Sequence, residues 1–201
     1  MAVILYVETN FVMSIAKGQD ELAENFLEAC TSVSLAIPSI CYVESLVTLE
    51  QEDKYNEDFI RRLDIQVNEA ARDKTSQNAK LVVTYLKQAK ISFLQRNNDT
   101  EKRFYIALNQ LFTKAEEILL TTEIIHQSLA RNMLEKHFMD KLIIGCIVHH
   151  ARLHPDETKI FLSANSKEFC RREVIEVLRD SGIQYFNKTK NFLGWLQSQS
   201  N

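Results

Sequence analysis

The chain of 201 residues is poor in the residues that interrupt regular structure, with four glycines and two prolines. That scarcity excludes a loop-rich or low-complexity polypeptide and predicts long helices joined by few irregular segments. No glycine-rich turn follows the first apolar run, which excludes a dinucleotide fold and a phosphate-binding P-loop. The cysteines Cys30, Cys41, Cys146 and Cys170 form no CxxC pair and lie among apolar neighbours, so neither disulfides nor a structural zinc is expected. No run reaches transmembrane length, and Met1–Val7 lacks the basic region and cleavage site of a signal peptide. The expectation is a cytoplasmic protein without a membrane partner.

What is present is organised around Ala2–Asn10, AVILYVETN. Its unbroken apolar run, Val3 to Val7, reads as the central strand of a parallel sheet covered by helices on both sides. Ligands of such sheets bind beyond the carboxyl ends of the strands, and Glu8 stands at that end. A short helix is expected over Phe11–Ala16 and a longer one over Gln19–Cys30. Ser32–Ile37 is a second strand stopped by Pro38, and a helix starting at Ser39 carries Glu44 beside its apolar stripe. The rhythm resumes with a helix over Phe138–Ala151, a strand over Lys159–Leu162, and a helix over Ser166–Arg179 stopped at Gly182. Ile183–Phe186 is the last strand and Asn191–Gln197 a closing helix. The fold class is α/β in one domain, 1–201.

The middle departs from this alternation. Tyr55–Ala71, Ser76–Leu94 and Thr100–Leu120 read as long helices, with breaks near Asp73–Thr75 and at the polar Gln95–Asp99; Glu117–Leu120 could instead be a strand. Val82, Leu86, Ala89 and Phe93 are expected to face a partner helix, making 53–116 a helical hairpin inserted into the domain with its tip at Gln95–Asp99. The charge is uneven: residues 74–115 hold eight basic residues against Asp99 and Glu101, so this segment carries +6 and the remainder −9. Lys80, Lys87 and Lys90 share one side of a helix, and Arg96, Lys102 and Arg103 are expected at the tip. A basic segment on an acidic body suits a polyanion such as RNA; a solvated hairpin used for homodimerisation accounts for the same residues.

Three acids, Glu8, Glu44 and Asp140, each lie beside strongly apolar neighbours. A buried carboxylate is costly unless it is paired or metal-bound, and converging carboxylates suit Mg²⁺ or Mn²⁺. Each also has a plainer explanation: a helix cap, an edge residue of a helix, and a favourable charge in a first turn. Cys146, His150 and His154 recur every four residues, the spacing of a transition-metal clip, but a helix C-terminus also favours imidazolium there, and with one helix contributing and Pro155 following metal binding is not the expectation. Ser163 has no evident base, so nucleophilic catalysis lacks support. A phosphoreceiver domain would need a lysine at the end of a late strand, which is not seen.

The strand ending in YVETNF, the acid after strand two, the HFMDKLIIGCIV helix and the FLSANSKEF turn together resemble the PIN domain family. The resemblance covers residues 1–52 and 117–190 and implies a PIN-like parallel sheet, with the helical hairpin as an insertion. It also implies a metal-dependent nuclease, an endoribonuclease of toxin type that uses Mg²⁺ or Mn²⁺ and leaves a 3′-hydroxyl and a 5′-phosphate. An antitoxin-type protein partner belongs to the same implication. The first family acid falls on Glu8, with Asn10 following, the second on Glu44 and the third on Asp140; Ser163, Asn165, Glu168 and Phe169 resemble the last motif. Glu8 stands where the family usually has aspartate, and Asn165 where many members have an acid, leaving Glu168 as the fourth carboxylate. On this pattern Glu8, Glu44, Asp140 and Glu168 are the metal-binding and catalytic residues, and Asn10, Ser163 and Asn165 orient them or a water. The two departures also fit a catalytically silent PIN fold that binds RNA or protein.

Overall fold

A computed structural model describes residues 2–29, 33–131, 133–134 and 136–199. In chain order the elements are β1 (Val3–Tyr6), α1 (Thr9–Ala16), α2 (Glu21–Ala29), β2 (Ser34–Pro38), α3 (Ser39–Ala70), α4 (Gln77–Lys114) and β3 (Ala115–Ile118). They continue with α5 (Thr122–Ala130), α6 (Phe138–Leu153), β4 (Thr158–Leu162), α7 (Ser166–Phe169), α8 (Arg172–Asp180), β5 (Ile183–Phe186) and α9 (Thr189–Gln199). Among the described residues the strands form one parallel sheet in the order β3-β2-β1-β4-β5. The apolar run at the N-terminus is therefore its centre, with Leu5, Tyr6 and Val7 fully buried. The edge strand β3 keeps Glu116 and Glu117 exposed, which discourages pairing with another chain.

Helices α1, α2, α3 and α4 pack on one another, with α9 against α2; α5, α6 and α8 form a second group, with α6 against β2 and β3. Each group buries an apolar stripe, and α6 is buried along nearly its whole length from Lys141 to Ala151. The α/β class and the flanked parallel sheet expected from the sequence are the fold found.

The middle of the chain differs from expectation in its helix boundaries. The helix that starts at Ser39 and the one expected over Tyr55–Ala71 are a single helix, Ser39–Ala70, and Gln77–Lys114 is one helix with no break at Gln95–Asp99. That stretch is polar but contains neither glycine nor proline, and nothing in it prevents helix propagation. The seam of α4 is Ala79, Val83, Leu86, Lys90, Phe93, Asn97, Thr100 and Phe104, spaced alternately four and three. Three seam positions, Lys90, Asn97 and Thr100, are thus polar, which mimics a loop in the sequence. Val82 and Ala89, expected on the seam, are exposed beside it. The seam residues Leu86 and Phe93 lie where they were expected, and Phe93 meets Phe59 of α3 with ring centroids 4.8 Å apart.

The turn of this antiparallel pair lies at residues 71–76. There the Asp73 carboxylate accepts bonds from the backbone N–H of Thr75 and Ser76, each 2.9 Å, and Ser76 caps α4 by accepting from Ala79 N at 3.2 Å. The tip is therefore near Lys74, and Arg96, Lys102 and Arg103 sit toward the root. The fully buried residues of α3 end at Leu49 and those of α4 begin at Thr100. Between them the pair is an arm about 30 Å long. Helix α8 is also shorter than expected: Ser166–Arg179 divides into α7 and α8 around Cys170. Gly182 ends α8 with φ +70, as its position in the sequence suggests. Cys30, placed at the end of α2, lies outside the described residues.

Candidate metal centre

Because all strands are parallel, their carboxyl ends open on one side, and the connections diverge there between β1 and β4. Glu8 follows β1 and caps α1: its Oε2 accepts from Asn10 N at 2.8 Å, and its Oε1 accepts from Ser163 Oγ at 2.7 Å. Ser163 follows β4, so one carboxylate spans the two central strands. Glu44, in the second turn of α3, accepts from the Thr9 hydroxyl. Asp140 lies in the first turn of α6, and Asn165 Nδ2 donates to its Oδ1 at 3.4 Å. Asn165 N also donates to Ser163 Oγ at 3.0 Å.

Glu8 is 2% exposed, and burial pushes its carboxyl up to about 7, with the charges of Glu44 and Asp140 adding to the rise. Burial likewise raises Asp140 to about 6, reinforced by Glu44 and Glu168 and opposed by His137 and Arg171. Thiol ionisation at buried Cys41 is suppressed by burial and by Glu8 and Glu44, so this cysteine beside the site is inert. Among the described residues no ion pair reaches Glu8 or Glu44. Glu8, Glu44 and Asp140 thus form a group of mutually repelling carboxylates held together by the fold.

Glu168 stands differently. It is buried, but Arg171 lies 2.5 Å from its Oε2 and His137 Nε2 lies 3.3 Å from the same oxygen. His137 also approaches Asp140, Nδ1 to Oδ2, at 3.9 Å. Glu168 is therefore neutralised within the protein, Asp140 has only the more distant His137, and Glu8 and Glu44 have no ion pair among the described residues. The side chains that the sequence reading missed are Thr9, which holds Glu44, and His137 and Arg171, which hold Glu168. Thr9 lies between Glu8 and Asn10 in the strand-end motif, and His137 precedes the Asp140 helix by one residue. Proximity to the motifs was the available signal for all three, since Arg171 follows Glu168 by three residues.

Asn10 presents its backbone to Glu8, and its side-chain position lines a small cavity with Ser14, Asp20, Ser163, Lys188 and Thr189. Of the six basic residues expected to meet a polyanion, two have other partners. Lys90 contacts both oxygens of Asp64 at 2.7 Å, and Arg103 Nε donates to Ala16 O at 2.9 Å, capping the end of α1. Lys80, Lys87, Arg96 and Lys102 are exposed on α4.

Among the described residues, the ligand atoms here that lie within 4.8 Å of one another are those of His137, Asp140 and Glu168; by its chemistry a hard divalent cation suits the carboxylate set of Glu8, Glu44 and Asp140. Every donor is oxygen, the acids come from three different elements, and the two with raised protonation are those that a cation would return to the charged form. An acid cluster at the carboxyl edge of a parallel sheet is the site of a nuclease-type α/β fold. The chain belongs to the PIN domain family: the family's sequence profile matches residues 5–169. That span includes the α3–α4 arm. No curated protein and no solved structure matches the chain.

Proposed function

We propose that the protein is a Mg²⁺- or Mn²⁺-dependent endoribonuclease in which Glu8, Glu44 and Asp140 hold the metal. The observation that carries this reading is the burial of Glu8 beside two further acids, with no ion pair at Glu8 or Glu44 among the described residues and only His137, 3.9 Å away, at Asp140. Uncompensated buried charge is otherwise destabilising, and it persists at sites where an ion is bound. The metal would supply a Lewis acid for the phosphodiester and a lowered pKa for an attacking water.

The remaining work falls to the chain itself. Ser163 and Asn10 N fix both oxygens of Glu8, Thr9 fixes Glu44, and Asn165 holds Asp140, so the acids are oriented before an ion arrives. Arg171 and His137 balance Glu168 and keep a cationic rim beside an acidic centre, which reduces repulsion of a phosphate backbone. The exposed lysines and arginine of α4 extend that attraction along the arm.

A second reading, a silent PIN fold used for binding, is favoured by the internal neutralisation of Glu168, which removes one carboxylate from the site. One experiment separates the two. Labelled single-stranded RNA is incubated with the protein and Mn²⁺, with and without chelator, using wild type, Glu44→Gln and Asp140→Asn. Chelator-sensitive cleavage that both substitutions abolish is expected. Wild-type cleavage by either variant would overturn the site, and RNA binding without Mn²⁺ affinity or cleavage would establish the silent reading.

A further inference from the structure

On the opposite part of α6 from Asp140, three side chains from two elements converge: Glu116 of the edge strand β3, His150 near the end of α6, and His154 just beyond it. One ligand atom of each lies within 4.8 Å of the others. Cys146, which the four-residue spacing had grouped with the histidines, does not belong to this cluster; Glu116 takes its place. His150 and Asp140 are ten residues apart on one helix, about 15 Å along its axis, so this cluster is separate from the acidic centre.

We propose that Glu116, His150 and His154 form a second metal site, taking a borderline cation of the Zn²⁺ class and tying the edge strand to the C-terminal end of α6. The first support is the state of His150. Its side chain is 7% exposed, and its Nε2 has no hydrogen-bond partner although Glu116 Oε1 is only 3.2 Å away. The two atoms are close but misaligned for a shared proton. In a tetrahedral zinc site, with bonds of about 2.0 Å, neighbouring donor atoms lie about 3.3 Å apart. The observed separation is that of two ligands on one ion.

The second support is the orientation of the rings. His150 Nδ1 shares a hydrogen bond of 3.0 Å with Tyr6 Oη on the central strand, and the rings of Tyr6 and His150 meet edge to face. The donor and acceptor in that bond depend on the imidazole tautomer; in the tautomer whose Nδ1–H donates to the phenol oxygen, Nε2 presents a lone pair toward Glu116. A lone pair and a carboxylate at this distance repel unless a cation lies between them. Glu157 stands 3.6 Å from His154 Nδ1, in place to orient the second imidazole in the same way and leave its Nε2 for the metal. The two imidazole rings stack with centroids 4.3 Å and planes 24° apart, so binding one ion requires the more exposed His154 ring to turn until its in-plane lone pair meets that of His150. Two imidazoles and one carboxylate select Zn²⁺, Co²⁺ or Ni²⁺ over Mg²⁺ or Mn²⁺ and leave a fourth position for water. Glu116 is solvent-exposed, which gives the ion a route in.

The test uses the full chain stripped with chelator. Zn²⁺ affinity is measured by competition with a chromophoric chelator, and Co²⁺ is added as a spectroscopic probe. One equivalent of Zn²⁺ is expected to bind with Kd below about 1 µM, Co²⁺ to give the visible bands of a tetrahedral site, and Zn²⁺ to raise Tm by several degrees. His154→Ala and Glu116→Gln alter partly or fully exposed side chains and should fold normally by circular dichroism. They should weaken Zn²⁺ binding by about 100-fold and at least about 10-fold respectively, while Asp140→Asn changes it by less than about twofold. Absence of stoichiometric binding at about 10 µM Zn²⁺, equal affinity in the two variants and wild type, or loss of binding in Asp140→Asn would each overturn the proposal. None of these outcomes bears on whether the acidic centre cleaves RNA.

Discussion

Glu8 carries two tasks with one side chain, capping α1 through Asn10 N and linking β1 to β4 through Ser163. Both bonds use the reach of glutamate. Glu8→Asp retracts the carboxylate by one methylene and cannot keep both, so it is expected to destabilise the fold by about 1–3 kcal/mol, measured by urea unfolding. Activity should fall with it, and activity equal to or above wild type would show that the site tolerates the family's usual aspartate. Asp140→Asn acts in the opposite sense: it removes charge from a crowded set of acids, so cleavage should be lost while the Tm of the metal-free protein holds or rises. The pH dependence follows from the same charges. Glu8 at about 7 and Asp140 at about 6 retain protons in the folded chain that the unfolded chain has already released. Their contribution to stability is therefore present at acid pH and is lost as pH rises to about 7. The Tm of the metal-free wild type should fall between about pH 5 and pH 7.5 relative to that of Asp140→Asn, and Mn²⁺ should raise wild-type Tm more at the higher pH than at the lower.

The packing of α5 on α6 depends on one missing side chain. A Cβ on Gly145 would stand 2.1 Å from Ser128 Oγ and 3.3 Å from Ile124 Cγ2, so the two helices approach through that glycine. Gly145→Ala should cost about 1–3 kcal/mol, the range for overpacking a well-filled interior. Ser128 Oγ is buried without a hydrogen-bond partner, so removing it loses little. The double variant Gly145→Ala with Ser128→Ala should therefore recover most of the loss, and urea unfolding of the three proteins measures the coupling. Additive costs would mean that the two helices do not meet as described. Because α6 also carries Asp140, His150 and nearly continuous buried surface, its placement affects both proposed metal sites.

At the scale of the whole molecule, charge is divided between an acidic body and a basic helix of the arm. The α4 cations that are free to meet a polyanion are Lys80, Lys87, Arg96 and Lys102; Lys90 is committed to Asp64 and Arg103 to Ala16 O. Changing the four free residues to glutamine should weaken RNA binding and reduce the slope of log K against log salt by up to about 3, at about 0.7 for each phosphate no longer neutralised. Cleavage of saturating RNA should change little, since these residues lie outside the acid cluster. An unchanged salt slope would leave the arm with a role in packing against another chain. Arg103→Ala, in contrast, should lower stability without altering the salt slope.

What the sequence determined by itself was the sheet and the acids. A run such as VILYV can be buried on both faces only in the centre of a parallel sheet, and parallel strands bring every carboxyl end to one side. Glu8, Glu44 and Asp140 were legible because an acid amid apolar neighbours conflicts with its surroundings, and such conflicts mark sites. Helix α4 was legible only in part, since a two-helix seam buries one narrow stripe and tolerates Lys90 and Asn97 within it. Polarity alone could not tell an exposed helix from a break, and only the partner helix α3 decides which residues face inward. The commitment of Lys90, Arg103 and Glu168 to partners, and the meeting of Glu116 with His150 and His154, belong to tertiary structure for the same reason. Those partners are distant in sequence or come from different elements, and neither spacing nor composition encodes which charge folds back upon which.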